Sequence, residues 1–239
     1  MRERLYTASG VEISIRHRKT EREHAIVIAH GFFQSKETKT FRKLEEDLAS
    51  AFDTVSMDFR GHGKSKGLYT FSAREAEDLK AVVDYTREHH RKVGVLAFSY
   101  GAAVAIVEAA EFKNVDSLVC VCAPMASEGI EFRWWTPRAV RIGLRGLEPG
   151  AGARFLNPFL KKTRPIDVVA NLAPTPVFFI HGAKDPLVTV RHSHALFERA
   201  HEPKEIFIFQ EGTHAEELYR QFPLPFIRLL KNWFSKTLA

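Results

Sequence analysis

Ser99 sits between an apolar run, Val93 to Phe98, and an alanine-rich stretch carrying Ala102, Ala103, Ala105, Ala109 and Ala110. The first run reads as a short buried strand and the second as a helix. A serine at such a junction is presented with its hydroxyl clear of the sheet and a helix N-terminus behind it, which suits a nucleophile. An acyl-transfer serine also needs a base to take its proton and a carboxylate to orient that base. Downstream, Pro176 to Ile180 is another buried-strand run, and Asp185 follows in the loop His181 to Val188. Lys204 to Gln210 is a further strand, with His214 in the loop Glu211 to His214 behind it. The three residue types that one mechanism requires thus fall just past three strands.

The tetrahedral oxyanion of acyl transfer needs two aimed N–H donors. One is expected from the backbone of Tyr100, the residue after the serine. The other is expected from Phe32, in the loop His30-Gly31-Phe32 that follows the strand Ala25 to Ala29. Gly31 is expected to supply a backbone conformation closed to other residues that turns the Phe32 N–H toward the site. The loop Asp58 to Ser65, with its two glycines, follows the strand Thr54 to Met57 and shapes the same rim.

Ala97-Phe98-Ser99-Tyr100-Gly101, with the loops at Phe32, Asp58, Asp185 and His214, resembles the α/β-hydrolase superfamily. The resemblance is to its serine-aminopeptidase-like, monoacylglycerol-lipase-like and cinnamoyl-esterase-like branch. It spans roughly residues 10–122 and 170–239 and departs at Ala97, where the family's elbow usually carries Gly. It implies a mostly parallel eight-stranded sheet with helices on both faces and a small cap after the sixth strand. It also implies the order nucleophile, acid, histidine: Ser99, Asp185, His214. The implied activity is a serine esterase acting on a small-molecule ester, with thioesterase, peptidase and a non-catalytic binding protein as alternatives.

Each residue has a plainer reading. Ser99 could be a helix cap, and Asp185 before Pro186 a simple turn carboxylate. Glu128, after the strand Val115 to Cys122, is an alternative acid. Of the other histidines, His89, His90, His192, His194 and His201 read as surface residues of helices, while His30, His62 and His181 read as loop-holding residues beside glycines. Ser65 and Ser72 read as cap or loop residues.

Composition excludes several other classes. No run of about 18 apolar residues is present, so nothing predicts a membrane span. The start, Met1 to Tyr6, has no apolar signal region, so a cytoplasmic protein is expected. Cys120 and Cys122 alternate on one strand and are expected to share a face as reduced core residues. Two cysteines offer too few ligands for a metal site, and neither a phosphate loop nor a dinucleotide fingerprint is present. No cofactor, metal or nucleic-acid partner is expected, and a monomer and a homodimer both remain open.

Around the site, Val11 to His17 reads as an edge strand paired with Arg4 to Ala8, and Lys36 to Ser50 and Ser72 to His90 read as amphipathic helices. Alternation of strand and helix implies a sheet covered on both faces. The rhythm breaks in residues 124–169, read as a cap inserted into a core of 1–123 and 170–239. Residues 131–165 hold eight basic side chains and two acidic ones, equal to the whole net charge of +6. The bases, among them Arg138 and Arg141, could attract an anionic substrate or a membrane surface, or form a solvated face. Trp134 and Trp135 are expected to divide between the substrate site and the cap–core contact.

Overall fold

In a computed structural model of the 239-residue chain, the described residues are 2–126, 151–156 and 159–239, with the single positions Pro137 and Glu148. Trp134, Trp135, Glu128 and the bases Arg133, Arg138, Arg141 and Arg145 lie outside the described residues, as does most of the expected cap.

Eight strands form one sheet. They are β1 (Arg2–Tyr6), β2 (Glu12–Arg18), β3 (His24–Ala29), β4 (Asp53–Met57), β5 (Lys92–Phe98), β6 (Ser117–Val121), β7 (Val177–Gly182) and β8 (Lys204–Phe209). Their spatial order is β1-β2-β4-β3-β5-β6-β7-β8. Only β2 runs against its neighbours, pairing antiparallel with β1 and β4. The other pairings are parallel, so β3 to β8 all end on one edge of the sheet.

The near-continuous apolar runs of β3, β5, β6 and β7 arise because both faces are buried. On β5, Val93, Val95 and Ala97 pack with helices α2 (Glu75–Arg87) and α3 (Tyr100–Phe112). Leu96 and Phe98 pack on the opposite face with α1 (Lys39–Leu48) and the C-terminal helix Pro223–Thr237. The short turn α4 (Pro165–Val168), then α5 (Arg191–Arg199) and α6 (Glu216–Gln221), precede that last helix, α7. The helical C-terminal stretch is interrupted where Pro223 opens α7, since proline is tolerated only in a helix's first turn.

The two cysteines do not share a face as expected. Cys120 belongs to the α3 side and Cys122 to the α7 side. The strand ends at Val121 and Cys122 takes φ +52°, which breaks the two-residue alternation. Two histidines read as surface residues are in fact withdrawn: His192 is fully buried and accepts the Met125 N–H at 3.2 Å, and the His90 side chain is only 4% exposed.

One buried ion pair joins the loops after β3 and β4. The Lys36 ammonium donates to Asp58 and, at 2.8 Å, to the Ser14 hydroxyl. Asp58 also accepts the backbone N–H groups of Lys36 at 2.8 Å and Lys64 at 2.9 Å. Burial lowers the Lys36 pKa, and Asp58 opposes that shift. Removing one partner leaves an unpaired buried charge. Lys36→Met should therefore cost about 3–5 kcal/mol in urea unfolding, with Asp58→Asn in the same chain recovering part of the loss. A Lys36→Met change below about 1 kcal/mol would show that the pair does not anchor these loops.

Candidate active site

The strand β5 ends at Phe98 and α3 begins at Tyr100, so the chain must reverse within Ser99. It does so at φ 50° and ψ −117°, a conformation that costs a non-glycine residue about 1–3 kcal/mol. The Ser99 N–H is held by the Val121 carbonyl at 2.7 Å. The hydroxyl makes no cap bond to α3, contrary to the plainer reading of this serine. Gly101 permits the close approach behind it: a Cβ there would stand 2.4 Å from the His30 carbonyl oxygen and 2.9 Å from that of Ala29.

His214 Nε2 lies 2.8 Å from Ser99 Oγ, and His214 Nδ1 lies 2.6 Å from Asp185 Oδ2. Asp185 is anchored by its other oxygen, which accepts the N–H groups of Leu187 at 2.8 Å and Val188 at 3.0 Å. Asp185 is thus both the turn carboxylate of its own loop and the partner of His214. Burial alone would raise its pKa, but His214 and His181 hold it well below the usual carboxylate range. Burial opposes the His214 imidazolium; the Asp185 carboxylate, with Glu216 and Glu217, outweighs it and raises the histidine's pKa above 6.5. Since the ionised carboxylate accepts, Nδ1–H donates to Asp185 and the lone pair of Nε2 faces the serine hydroxyl. A histidine so oriented can take the serine proton.

Two residues read in the sequence as loop-holding and core, His181 and Cys122, are neighbours of this pair. His181 Nε2 donates to the Val188 carbonyl at 2.8 Å and lies 3.4 Å from Asp185 Oδ2, while its Nδ1 accepts from the Ser193 hydroxyl at 2.6 Å. It therefore backs the carboxylate from beneath. Cys122, Asp185 and His214 place their ligand-type atoms within 4.8 Å of one another. Burial holds the Cys122 pKa well above the ordinary thiol value, and its sulfur accepts the Ala215 N–H at 3.2 Å. A protonated thiol is a poor metal ligand, so this cluster is better suited to hydrogen bonding than to coordination.

The loop after β3 comes up beside the serine, with a Cβ built on Gly31 lying 3.5 Å from Ser99 Cβ. Gly31 does not use the positive φ expected of it; that conformation falls on Phe33, at φ 62°. The loop is pinned instead by His30, whose Nε2 accepts the Phe59 N–H at 3.2 Å. The imidazole proton is thereby assigned to Nδ1, which donates to the Gly31 carbonyl at 2.7 Å. Phe32 follows directly, and Tyr100 opens α3, whose first N–H groups have no intrahelical partner.

Aromatic rings extend outward from these two residues. Phe32 lies 5.3 Å from Tyr69, Tyr69 lies 4.9 Å from Tyr100, and Phe71 stacks on Phe155 at 5.8 Å between centroids. Phe32 and Phe155 remain 38% and 46% exposed, so the wall has an open apolar face. Phe155 comes from the expected cap segment. That stretch is clipped to the rim loop by Arg154 N–H to Gly61 O at 2.8 Å and Tyr69 N–H to Arg154 O at 2.8 Å. Glu148 accepts from Lys39 N–H and, at 2.9 Å, from the Thr40 hydroxyl, placing a carboxylate at the positive end of α1.

Residues 26–226 match the family model described as alpha/beta hydrolase family. Among curated proteins, YqkD of Bacillus subtilis (strain 168), itself uncharacterized, is 25% identical over 208 residues, covering 80% of this chain and 65% of that protein. The serine hydrolase BPHL of Homo sapiens is 24% identical over 246 residues, covering 90% of this chain and 80% of that protein. The Pyrococcus furiosus esterase Pf2001 superposes with a TM-score of 0.81 at 22% identity, covering 100% of this chain and 93% of that one. The chain thus spans less than two thirds of YqkD, though most of BPHL. No helix among the described residues is long and apolar enough to cross a membrane.

The electrostatics of His214 give a direct test. Its imidazole resonance should titrate with a midpoint above 6.5, and Asp185→Asn should move that midpoint down. An unchanged midpoint in Asp185→Asn, read by NMR, would mean that the carboxylate does not set the charge of this histidine.

Proposed function

Since the chain belongs to the alpha/beta hydrolase family, we propose that it is a serine esterase that cleaves small-molecule carboxylic esters through an acyl-enzyme. The observation that carries this reading is the hydrogen-bond sequence Ser99 Oγ to His214 Nε2 at 2.8 Å and His214 Nδ1 to Asp185 Oδ2 at 2.6 Å.

In this reading Ser99 Oγ attacks the ester carbonyl carbon as His214 Nε2 takes its proton. Asp185 keeps the histidine in the required tautomer and stabilises the imidazolium. The backbone N–H groups of Phe32 and Tyr100 receive the oxyanion, and removing one such donor costs a typical hydrolase about 10²–10³ in kcat. Collapse of the tetrahedral intermediate expels the alkoxide, which His214 protonates. Water then enters, gives its proton to the same histidine and releases the acid. Every step uses groups of the protein and water.

The open aromatic wall of Phe32, Tyr69, Phe71 and Phe155 supports an ester with an apolar or aromatic acyl or alcohol part. That Pf2001 is an esterase and BPHL a serine hydrolase supports this reading. Residues 124–169 act as the cap over a core of 1–123 and 170–239, and Phe155 is the cap's contribution to the wall.

The test is substitution at the two ends of the hydrogen-bond sequence. Ser99→Ala should fold normally and lose on the order of 10⁴–10⁶ in kcat toward an aryl ester. Asp185→Asn should lose about 10⁴ at neutral pH, while Glu128→Gln changes little. Undiminished turnover by Ser99→Ala removes the serine mechanism; a large loss in Glu128→Gln with Asp185→Asn unaffected moves the acid to the loop after β6.

A further inference from the structure

Besides Ser99 and Phe33, two residues beside the candidate site take positive φ: Cys122 at 52° and Ala215 at 47°. Ala215 directly follows His214, and with ψ −118° it repeats the conformation of Ser99. Such conformations cost a non-glycine residue free energy and persist only where the surroundings hold them. Glycine would adopt the turn at position 122 freely, so a side chain stands there against the preference of the backbone.

The contacts of that side chain give the reason. The Cys122 N–H is bound by the Ile180 carbonyl at 2.8 Å, which fixes the residue to β7. The turn then places Sγ on the side where Ala215 and Leu218 pack. There it accepts the Ala215 N–H at 3.2 Å. The thiol hydrogen has the Thr213 carbonyl as its acceptor, 3.9 Å from the sulfur, a long contact that the size of sulfur allows. Burial holds the thiol protonated, so both its donor and its acceptor function are present. One sulfur thus joins the residue before His214 to the residue after it, and it lies within 4.8 Å of a ligand-type atom of both Asp185 and His214.

Other bonds fix the entry to this loop. A Cβ on Gly182 would stand 2.2 Å from the Thr213 carbonyl oxygen, so the loop lies directly on the end of β7. The Gly212 carbonyl accepts the Lys184 N–H at 2.9 Å, and the Thr213 N–H donates to Gln221 at 3.0 Å. The Cys122 bond fixes the exit, at the strained residue where α6 begins. The adjacent Val121 carbonyl holds the Ser99 N–H at 2.7 Å. The end of β6 therefore grips the serine through one residue and the histidine through the next.

We propose that Cys122 is a positioning residue for the reaction, its sulfur clamping the backbone on both sides of His214 and so setting the reach of the imidazole to Asp185 and Ser99. Its bearing on turnover rests on the esterase reading above.

The test compares Cys122→Ala with Cys122→Ser in the full chain, with an aryl ester as substrate. Both replacements give up the volume of the sulfur, and only serine keeps an acceptor and a donor at this position. Cys122→Ala should lower kcat on the order of 10²-fold with KM unchanged, since a misplacement of about 1 Å has that effect on a reacting pair. Cys122→Ser should recover most of the loss. The His214 resonance, titrated by NMR without substrate, is a second readout. Burial disfavours its imidazolium, while Asp185 on the loop after β7 and Glu216 and Glu217 on α6 favour it. The two glutamates follow His214 in the same segment, so a released loop parts the histidine chiefly from Asp185. The midpoint should therefore fall in Cys122→Ala and return in Cys122→Ser. In wild type the Ala215 amide should exchange slowly with deuterium, a measurement that stands if Cys122→Ala folds poorly. Rapid exchange there would overturn the proposal, as would equal kcat and an equal midpoint in all three proteins. Equal losses in the alanine and serine variants would overturn it too, by making the bulk of the sulfur the determinant. The amide and the titration decide the hold on His214 even where Ser99→Ala retains turnover and the esterase reading falls.

Discussion

The left-handed turn at Ser99 is the constraint on which the rest of the site depends. A serine at φ 50° and ψ −117° is held there by its surroundings and not by its own preference. β5 delivers the chain from the middle of a sheet buried on both faces, and α3 starts one residue later. The helix can begin so close because Gly101 has no Cβ to collide with the carbonyls of Ala29 and His30. The same close approach brings the His30-Gly31-Phe32 loop next to the serine, so one steric fact brings the hydroxyl and that loop to the same point.

Electrostatics then act on a frame already fixed. Asp185 stays ionised in a buried position because two histidines and two backbone N–H groups surround it. Its charge raises the His214 pKa and fixes the proton on Nδ1. The order of effects matters: burial disfavours both charged forms, and only their proximity reverses that preference for the pair. His181 and Cys122 complete the enclosure without competing for the proton, the first as a donor to the Val188 carbonyl and the second as a protonated thiol.

What the sequence discloses follows from which forces are local. A strand run, one serine and an alanine-rich helix identify the elbow because strand and helix propensities meet at a single residue. Asp185 and His214 are legible because each directly follows a strand with an unmistakable apolar run. The role given to Gly31 is not legible, since neither φ nor the identity of the strained residue can be read from composition; Phe33 carries the positive φ. The faces of Cys120 and Cys122 are lost for a similar reason, as alternation stops where the strand stops. Phe71 and Phe155 become neighbours of the site only through a tertiary contact across a large sequence separation, and periodicity carries no trace of it.

The central claim is that Ser99 becomes covalently acylated during turnover. The most direct measurement is an acid quench of the enzyme in the pre-steady state with an activated aryl acetate, followed by peptide mass spectrometry. Acylation of Ser99 should give a burst of phenol release and one acetyl group on the peptide containing Ser99, with the adduct disappearing as substrate is exhausted. Turnover without a burst and without an adduct on that peptide, or an adduct confined to Cys122, would contradict it.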